Sequence, residues 1–185
     1  MTITIAQSES DLLQILVLQQ LNQNRNVSAE VQRSQGFVTF VYDLAQMQTM
    51  AAAAPQIIAK DGDKIVGYAL TTIPAIGQDI LLFKPMFALM GGLLWHNEPI
   101  SSQRYYAMGQ VCVAEGYRGQ GVFDGLYAKH KELLSGQYDL CVTEIAVRNT
   151  RSIRAHERVG FQTIHTYTDD SELWNVVLWD FRDSH

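Results

Sequence analysis

The chain has 185 residues, 47% of them apolar and 18% charged, with a formal net charge of −5. This suits one well-buried core and is short for two, so a single domain over residues 1–185 is expected. The acidic balance excludes a general electrostatic attraction to nucleic acid or to an anionic membrane surface.

Seven of the fourteen basic residues nevertheless fall between Arg118 and Arg158, which marks that stretch as a candidate anion site. Two cysteines, Cys112 and Cys141, in a chain whose start "MTITIAQSES" shows neither a basic leader nor an apolar core, fit a reducing cytoplasm. A cytoplasmic location is the expectation.

"TITIA" alternates like a first strand, and "SESDLLQILVLQQLN" reads as a helix capped by Ser8 or Ser10, with an apolar face of Leu12, Leu13, Leu16 and Leu21. The stretch from Asn22 to Ala53 carries "GFVTFVYD" and a helical run around Leu44 to Met50. "QIIAKDGDKIVGYALTTI" gives two β runs hinged at Asp61-Gly62-Asp63, a hairpin signal. The most apolar segment, "ILLFKPMFALMGGLLW" (80–95), is broken by Lys84 and Pro85 and falls short of the roughly 20 residues of a spanning helix. It reads as a buried or substrate-cleft element, and no membrane span is expected.

"YYAMGQVCVAEG" follows as a strand, then a helix within "EGYRGQGVFDGLYAKHKELL", then "YDLCVTEIAV" as a buried strand. A second helix, "TRSIRAHERVG", stops at Gly160, and "FQTIHTYT" and "ELWNVVLWDF" end the chain as strands. A strand, helix, strand, helix order after an antiparallel hairpin implies a mixed α/β sheet with at least one parallel crossover.

The helix start at residues 118–124 has a chemical meaning. The first turn of a helix leaves main-chain N–H groups without partners and carries a partial positive charge, so it attracts phosphate. Gly119 and Gly121 permit the unusual backbone angles and close approach that an anion requires, and Arg118 adds a full charge. No Lys-Ser/Thr follows the glycines and no Gly-x-Gly-x-x-Gly follows an early strand, so two common nucleotide loops fit poorly. A glycine turn that merely enters a helix is the alternative.

"NTRSIRAHERVGF" (149–161) sets Arg151, Arg154 and Arg158 close to one helical face. With this segment the sequence resembles the GNAT superfamily of acetyl-CoA-dependent N-acetyltransferases. Residues 118–123, preceded by a V-x-x-x-Y-R-G pattern, are similar to its pyrophosphate loop, Arg/Gln-x-x-Gly-x-Gly/Ala. Residues 149–161 are similar to its N-x-x-(A/S)-x-x-x-(Y/H)-x-x-x-G-F segment. The resemblance is specific over residues 108–161, and "KIVGYAL" resembles the strand before the family's central one. Phe123 stands where the family usually has a small residue, and His156 where many relatives carry tyrosine.

The resemblance implies a mostly antiparallel mixed sheet flanked by helices, with a strand-helix-strand crossover that binds acetyl-CoA. The main chain of Gly119, Gln120, Gly121, Val122, Phe123 and Asp124 would hold the pyrophosphate beside Arg118. The main chain of Val111, Cys112 and Val113 would pair with the pantetheine arm, and Asn149 and Ser152 would touch the other side of the cofactor. A homodimer is expected on family grounds alone, and no metal is expected.

Acetyl transfer to an amine requires a base for the amine, a donor at the developing oxyanion and a proton for the departing thiolate. Glu144, inside the otherwise apolar "LCVTEIAV", is the first base candidate, with an ion pair to a nearby arginine such as Arg148 as its structural alternative. Glu115 and Glu98 are fallback bases. His156 is the candidate acid, with packing as the alternative. Cys112 has no base spaced to activate it, which favours direct transfer over an acyl-enzyme.

Arg151, Arg154 and Arg158 either face the 3′-phosphate end of the coenzyme or form a solvated face. The aromatics Phe83, Phe87, Trp95, Tyr105 and Tyr106 either line an acceptor pocket or pack a core or dimer. The function expected is an N-acetyltransferase for a primary amine of a small molecule or peptide. The other class is an acyl-CoA-binding regulatory module without turnover.

Overall fold

The computed structural model describes the chain apart from residues 24–25, 29, 31, 33–36, 78–79, 171 and 184–185. Gly36, the first residue of the "GFVTFVYD" stretch, lies outside the described residues. The described elements run β1 Thr2–Ile5, α1 Glu9–Leu21, α2 Leu44–Ala53, β2 Ile57–Asp61, β3 Lys64–Thr72, α3 Pro74–Gly77, α4 Lys84–Met90, β4 Leu94–Trp95, β5 Glu98–Pro99 and β6 Tyr105–Val113. They continue with α5 Val122–Leu134, β7 Leu140–Ala146, α6 Thr150–Val159, β8 Gln162–Thr168 and β9 Leu173–Asp180.

Seven strands form one sheet in the order β1-β2-β3-β6-β7-β9-β8. Every pairing in it is antiparallel except β6 with β7, the two strands joined by the α5 crossover. The mixed, mostly antiparallel sheet flanked by helices is the architecture expected from the sequence. The Gly62 hinge is also found there: Gly62 sits at φ 59° in the tight turn between β2 and β3.

Alternation along the strands divides the core in two. One face gathers Ile58, Tyr68, Leu70, Val142 and Val176 against α1, α2 and α4. The other gathers Ile57, Ala69, Cys141, Val177 and Trp179 against α5. β3 is buried at every position after Lys64 because it carries helices on both faces.

Helix α1 starts at a reciprocal cap: Ser8 Oγ accepts from the Asp11 N–H, and Asp11 Oδ2 accepts from the Ser8 N–H. Its buried face is Leu12, Ile15 and Leu18, whereas Leu13 and Leu21 are 46% and 66% exposed. The buried face is therefore rotated from the one the leucine spacing predicts, because apolar residues surround this helix and its periodicity carries little direction.

The 80–95 segment forms a short 3₁₀ turn, α4 and the first strand of a two-stranded ribbon. Phe83, Phe87, Tyr105 and Tyr106 are buried, so these aromatics belong to the core. Trp95 anchors the ribbon by donating its indole N–H to Asp180 Oδ2 at 2.8 Å. No helix among the described residues is long and apolar enough to cross a membrane.

The pairing of β3 with β6 shifts register between Leu70 and Thr71, opposite Gly109. A Cβ on Gly109 would lie 2.8 Å from Thr72 Oγ1, 3.1 Å from the Phe83 ring and 3.2 Å from the Tyr42 hydroxyl. Gly109→Ala is expected to lower stability by about 1–3 kcal/mol through overpacking, read as a drop in denaturation midpoint with an unchanged slope.

Candidate active site

β6 and β7 share only the pairs Tyr105–Leu140, Tyr106–Cys141 and Ala107–Val142. Where they part, Thr143 donates its hydroxyl to the Met108 carbonyl at 2.8 Å. Beyond this fork a cleft of about 690 Å³ opens between the end of β6, the loop after it and α6. Every residue singled out for coenzyme contact lines it except Gln120, whose side chain donates to the Gly116 carbonyl at 2.8 Å.

The edge of β6 facing the cleft is main chain. The Ala114 N–H donates to the Val66 carbonyl on the β3 side. Main-chain groups alternate in direction along an antiparallel strand, so those of Val111 and Val113 point away from β3. Arg118 Nε accordingly reaches the Val113 carbonyl at 2.9 Å, and its Nη2 reaches Asn22 Oδ1 at 2.5 Å. Arg118 thus lines the cleft and also ties the end of β6 to the end of α1.

Gly119 and Gly121 adopt φ of 75° and 79°, and a Cβ on either would meet nothing within 4 Å. Backbone conformation rather than lack of space requires glycine there. Gly121 is the N-cap of α5 and supplies no side-chain cap, so the first-turn N–H groups stay open to an anion. Val122 is buried. The Phe123 ring is turned away from the helix start into a cluster with Tyr127 and His156, at centroid distances of 4.9 and 5.1 Å. Asp124 pairs with Arg158 at 2.6 Å.

Across the cleft, Asn149 caps α6 by accepting from the Ser152 N–H, and its Nδ2 donates to the Phe37 carbonyl. Arg151, Arg154 and Arg158 line the same cleft, which places the arginine stripe along its α6 wall.

Glu144 lies on β7 opposite Val176, on the face shared with Val142, and lines a second, smaller cleft of about 80 Å³ at the fork. Burial pushes its carboxyl up to about 7, against a hydrogen bond from the Tyr167 hydroxyl at 2.9 Å that favours the charged form. It makes no pair with Arg148, which instead binds Glu172 at 2.8 Å and lies over the Phe37 ring.

His156 is buried on the α6 side of the same small cleft. Its Nδ1 lies 2.8 Å from the Ser152 carbonyl, which only accepts, so Nδ1 carries the proton and Nε2 accepts from the Tyr127 hydroxyl at 2.6 Å. Burial holds its pKa down to about 4. Both nitrogens are engaged and the ring is neutral, which argues for packing over proton donation. The Cys112 thiol is pushed up to about 12 by burial, the opposite of an activated nucleophile. Glu115 and Glu98 are exposed and line neither cleft.

Sequence reasoning missed the wall opposite β7. Residues 37–42 lie across the fork, held by a part-buried amide network. Gln110 Oε1 accepts from the Tyr68 hydroxyl and from Gln19 Nε2, while Gln110 Nε2 donates to the Phe40 carbonyl. Gln19 Oε1 accepts from the Tyr42 N–H, and the Tyr42 hydroxyl donates to the Gly109 carbonyl. The Phe40 ring stacks on Trp174, with centroids 6.2 Å apart. The run of aromatics in "GFVTFVYD" was the signal, but its partners are distant in sequence.

The chain matches the model of the acetyltransferase (GNAT) family over residues 21–161. No curated protein matches it in sequence. Among solved structures it is similar to Chaetomium thermophilum Naa20 in complex with a bisubstrate analogue, with TM-score 0.67 and 17% identity over 97% of this chain and 86% of that one. It is also similar to the ribosomal-protein-S18-alanine N-acetyltransferase of Escherichia coli, with TM-score 0.60 and 13% identity over 100% and 96%. The NatC complex bound to Gag peptide and CoA gives TM-score 0.64 and 12% identity over 97% of each chain. At such identities the structural likeness is one of fold, while the family match spans the forked strands, the glycine loop and α6: the chain belongs to the GNAT acetyltransferase family.

Proposed function

We propose that the protein is an N-acetyltransferase that moves the acetyl group of acetyl-CoA directly to a primary amine of a small molecule or peptide. The observation that carries this reading is the fork between β6 and β7. It leaves an uncapped helix start on one side of the opening and a half-buried carboxylate with a near-neutral pKa on the other. The residues present suit the coenzyme: two left-handed glycines bordering open space, a main-chain edge on β6 that no strand pairs and a line of arginines on α6.

Bound there, acetyl-CoA would supply the acetyl thioester and leave as the thiol. The first-turn N–H groups of α5 hold the pyrophosphate, with Arg151, Arg154 and Arg158 toward the phosphorylated nucleoside end. The Val111 and Val113 main chain binds the pantetheine arm as an added strand, and its N–H groups polarise the carbonyl under attack. Glu144 takes a proton from the acceptor ammonium so that nitrogen presents its lone pair. Buried Trp174, with the Phe40 ring stacked on it, shields one side of that carboxylate.

A second reading, a coenzyme-binding module without turnover, draws on one observation. His156, at the position where many relatives carry tyrosine, is buried and neutral, and so offers no ready proton to a departing thiolate. Turnover with a panel of amino acids, polyamines, amino sugars and peptide N-termini separates the two readings.

Two measurements test the leading one. Acetyl-CoA at a hundred times Kd should stabilise the parent by about 2.7 kcal/mol, roughly 5–10 °C in melting temperature. A folded Gly121→Glu variant should lose that shift, because it puts a carboxylate and a disfavoured φ at the anion site. An unshifted parent would remove the coenzyme reading.

Glu144→Gln should abolish most turnover while leaving the acetyl-CoA shift intact. It should also raise the melting temperature at pH 8 but not near pH 4. The folded carboxyl titrates at about 7, above the roughly 4.3 of an unfolded glutamate. Its stabilising contribution is therefore complete below about pH 4.3 and lost as pH rises through 7, a loss the neutral amide avoids.

A further inference from the structure

We propose that Tyr167 is a positioning residue for the base: its hydroxyl donates to Glu144 Oε1 and holds the carboxylate so that Oε2 is the oxygen presented to the acceptor amine. The inference rests on the reading of Glu144 as base.

The pair is built across three strands. Tyr167 on β8 stands opposite Trp174 on β9, and Trp174 stands opposite Ala146 on β7. Glu144, two residues before Ala146, stands opposite Val176. Tyr167 therefore reaches over β9 to place its oxygen 2.9 Å from Glu144 Oε1. Among the described residues this is the one side-chain hydrogen bond that Glu144 makes.

The surroundings give that bond its weight. The small cleft around the carboxylate mixes apolar side chains, Phe40 and Trp174, with polar ones, Thr39, Gln110, Asn149, Ser152 and His156, and His165 on β8 stands opposite Val176; among the described residues none of these is hydrogen-bonded to Glu144. A carboxylate in such a site, with nothing to hold it, would rotate among several orientations, and only some of them present a lone pair to the amine. An O–H donor on one oxygen removes that freedom and favours the charged form that accepts the proton.

Other ionisable groups do not replace it. Asp169, beyond β8, disfavours a second negative charge at Glu144. His156, on the α6 side of the smaller cleft, is neutral, and Arg148 is turned toward Glu172. Tyr167 itself stays protonated: burial and the adjacent carboxylate both raise its pKa. It can donate throughout the range in which Glu144 titrates.

The test uses Tyr167→Phe, which keeps the ring and its stacking with His165. Two readouts apply. The first needs no substrate: the Glu144 carboxyl titration followed by NMR in protein labelled with ¹³C-glutamate, assigned with Glu144→Gln. Loss of the hydroxyl should move the titration to higher pH, because the lost bond favoured the charged form. The second is steady-state kinetics with acetyl-CoA and the best amine of the panel. Here kcat should fall about tenfold or more, the acidic limb of kcat/KM should move up with the titration, and KM for acetyl-CoA should stay within about twofold.

An unmoved titration, or an unmoved kcat, in a variant that melts within a few degrees of the parent overturns the proposal. If Glu144→Gln itself retains turnover, the base reading fails and takes this inference with it. If Glu144→Gln is inactive and Tyr167→Phe is indistinguishable from the parent, the base stands and only the positioning role falls.

Discussion

The functional architecture depends on a pairing that stops early. β6 and β7 run parallel for three residue pairs, are fastened by the Thr143 hydroxyl on the Met108 carbonyl, and then separate. In a continuous sheet the main-chain groups of Val111 and Val113 would satisfy a neighbouring strand. Here no strand takes them, because each strand keeps its other partner: β6 remains bonded to β3, and β7 to β9, while the Val113 carbonyl accepts from Arg118 Nε. The sheet can open in its middle without losing either half, and it leaves a main-chain edge on β6 that no strand pairs.

The fork also explains how two chemistries coexist in a small molecule. Strand alternation sends Glu144 toward the side of α1 and the 37–42 segment, while α5 and α6 pack on the other side. Glu144 and the uncapped start of α5 are thus kept on different faces and meet only through the opening. Arginines beside Glu144 would hold its pKa down. Separation across the sheet from the α6 stripe avoids this. It also leaves His156 in an aromatic cluster with Phe123, Tyr127 and Phe161, where a neutral ring is the stable state.

Much of this was legible in local sequence. The Gly62 turn, the α5 start at Gly121 and the α6 stop at Gly160 each depend on a residue that tolerates positive φ, which a sequence displays directly. Glu144 stood out as a carboxylate in an apolar strand. What was not legible depended on partners far away in the chain. The inward face of α1 could not be read because apolar residues surround it. His156 looked like a titrating helical histidine until Tyr127, 29 residues earlier, was seen to occupy Nε2. The role of Gln110 required Gln19, Phe40 and Tyr68, and Tyr167 required a strand order in which β9 lies between β8 and β7. Nothing in "FQTIHTYT" marks its tyrosine as the one that crosses to a carboxylate.

Arg118 gives the glycine loop a further property. Its guanidinium is bonded to the Val113 carbonyl and to Asn22, so the segment between β6 and α5 is braced at its entrance by two other parts of the fold. Loops rich in glycine lose more conformational entropy than others when a ligand fixes them. A brace of this kind shifts that loss to the folding step, where it is met once by the whole domain and not at each binding event. The cleft is therefore shaped when the chain folds, and a molecule entering it would not have to order the loop.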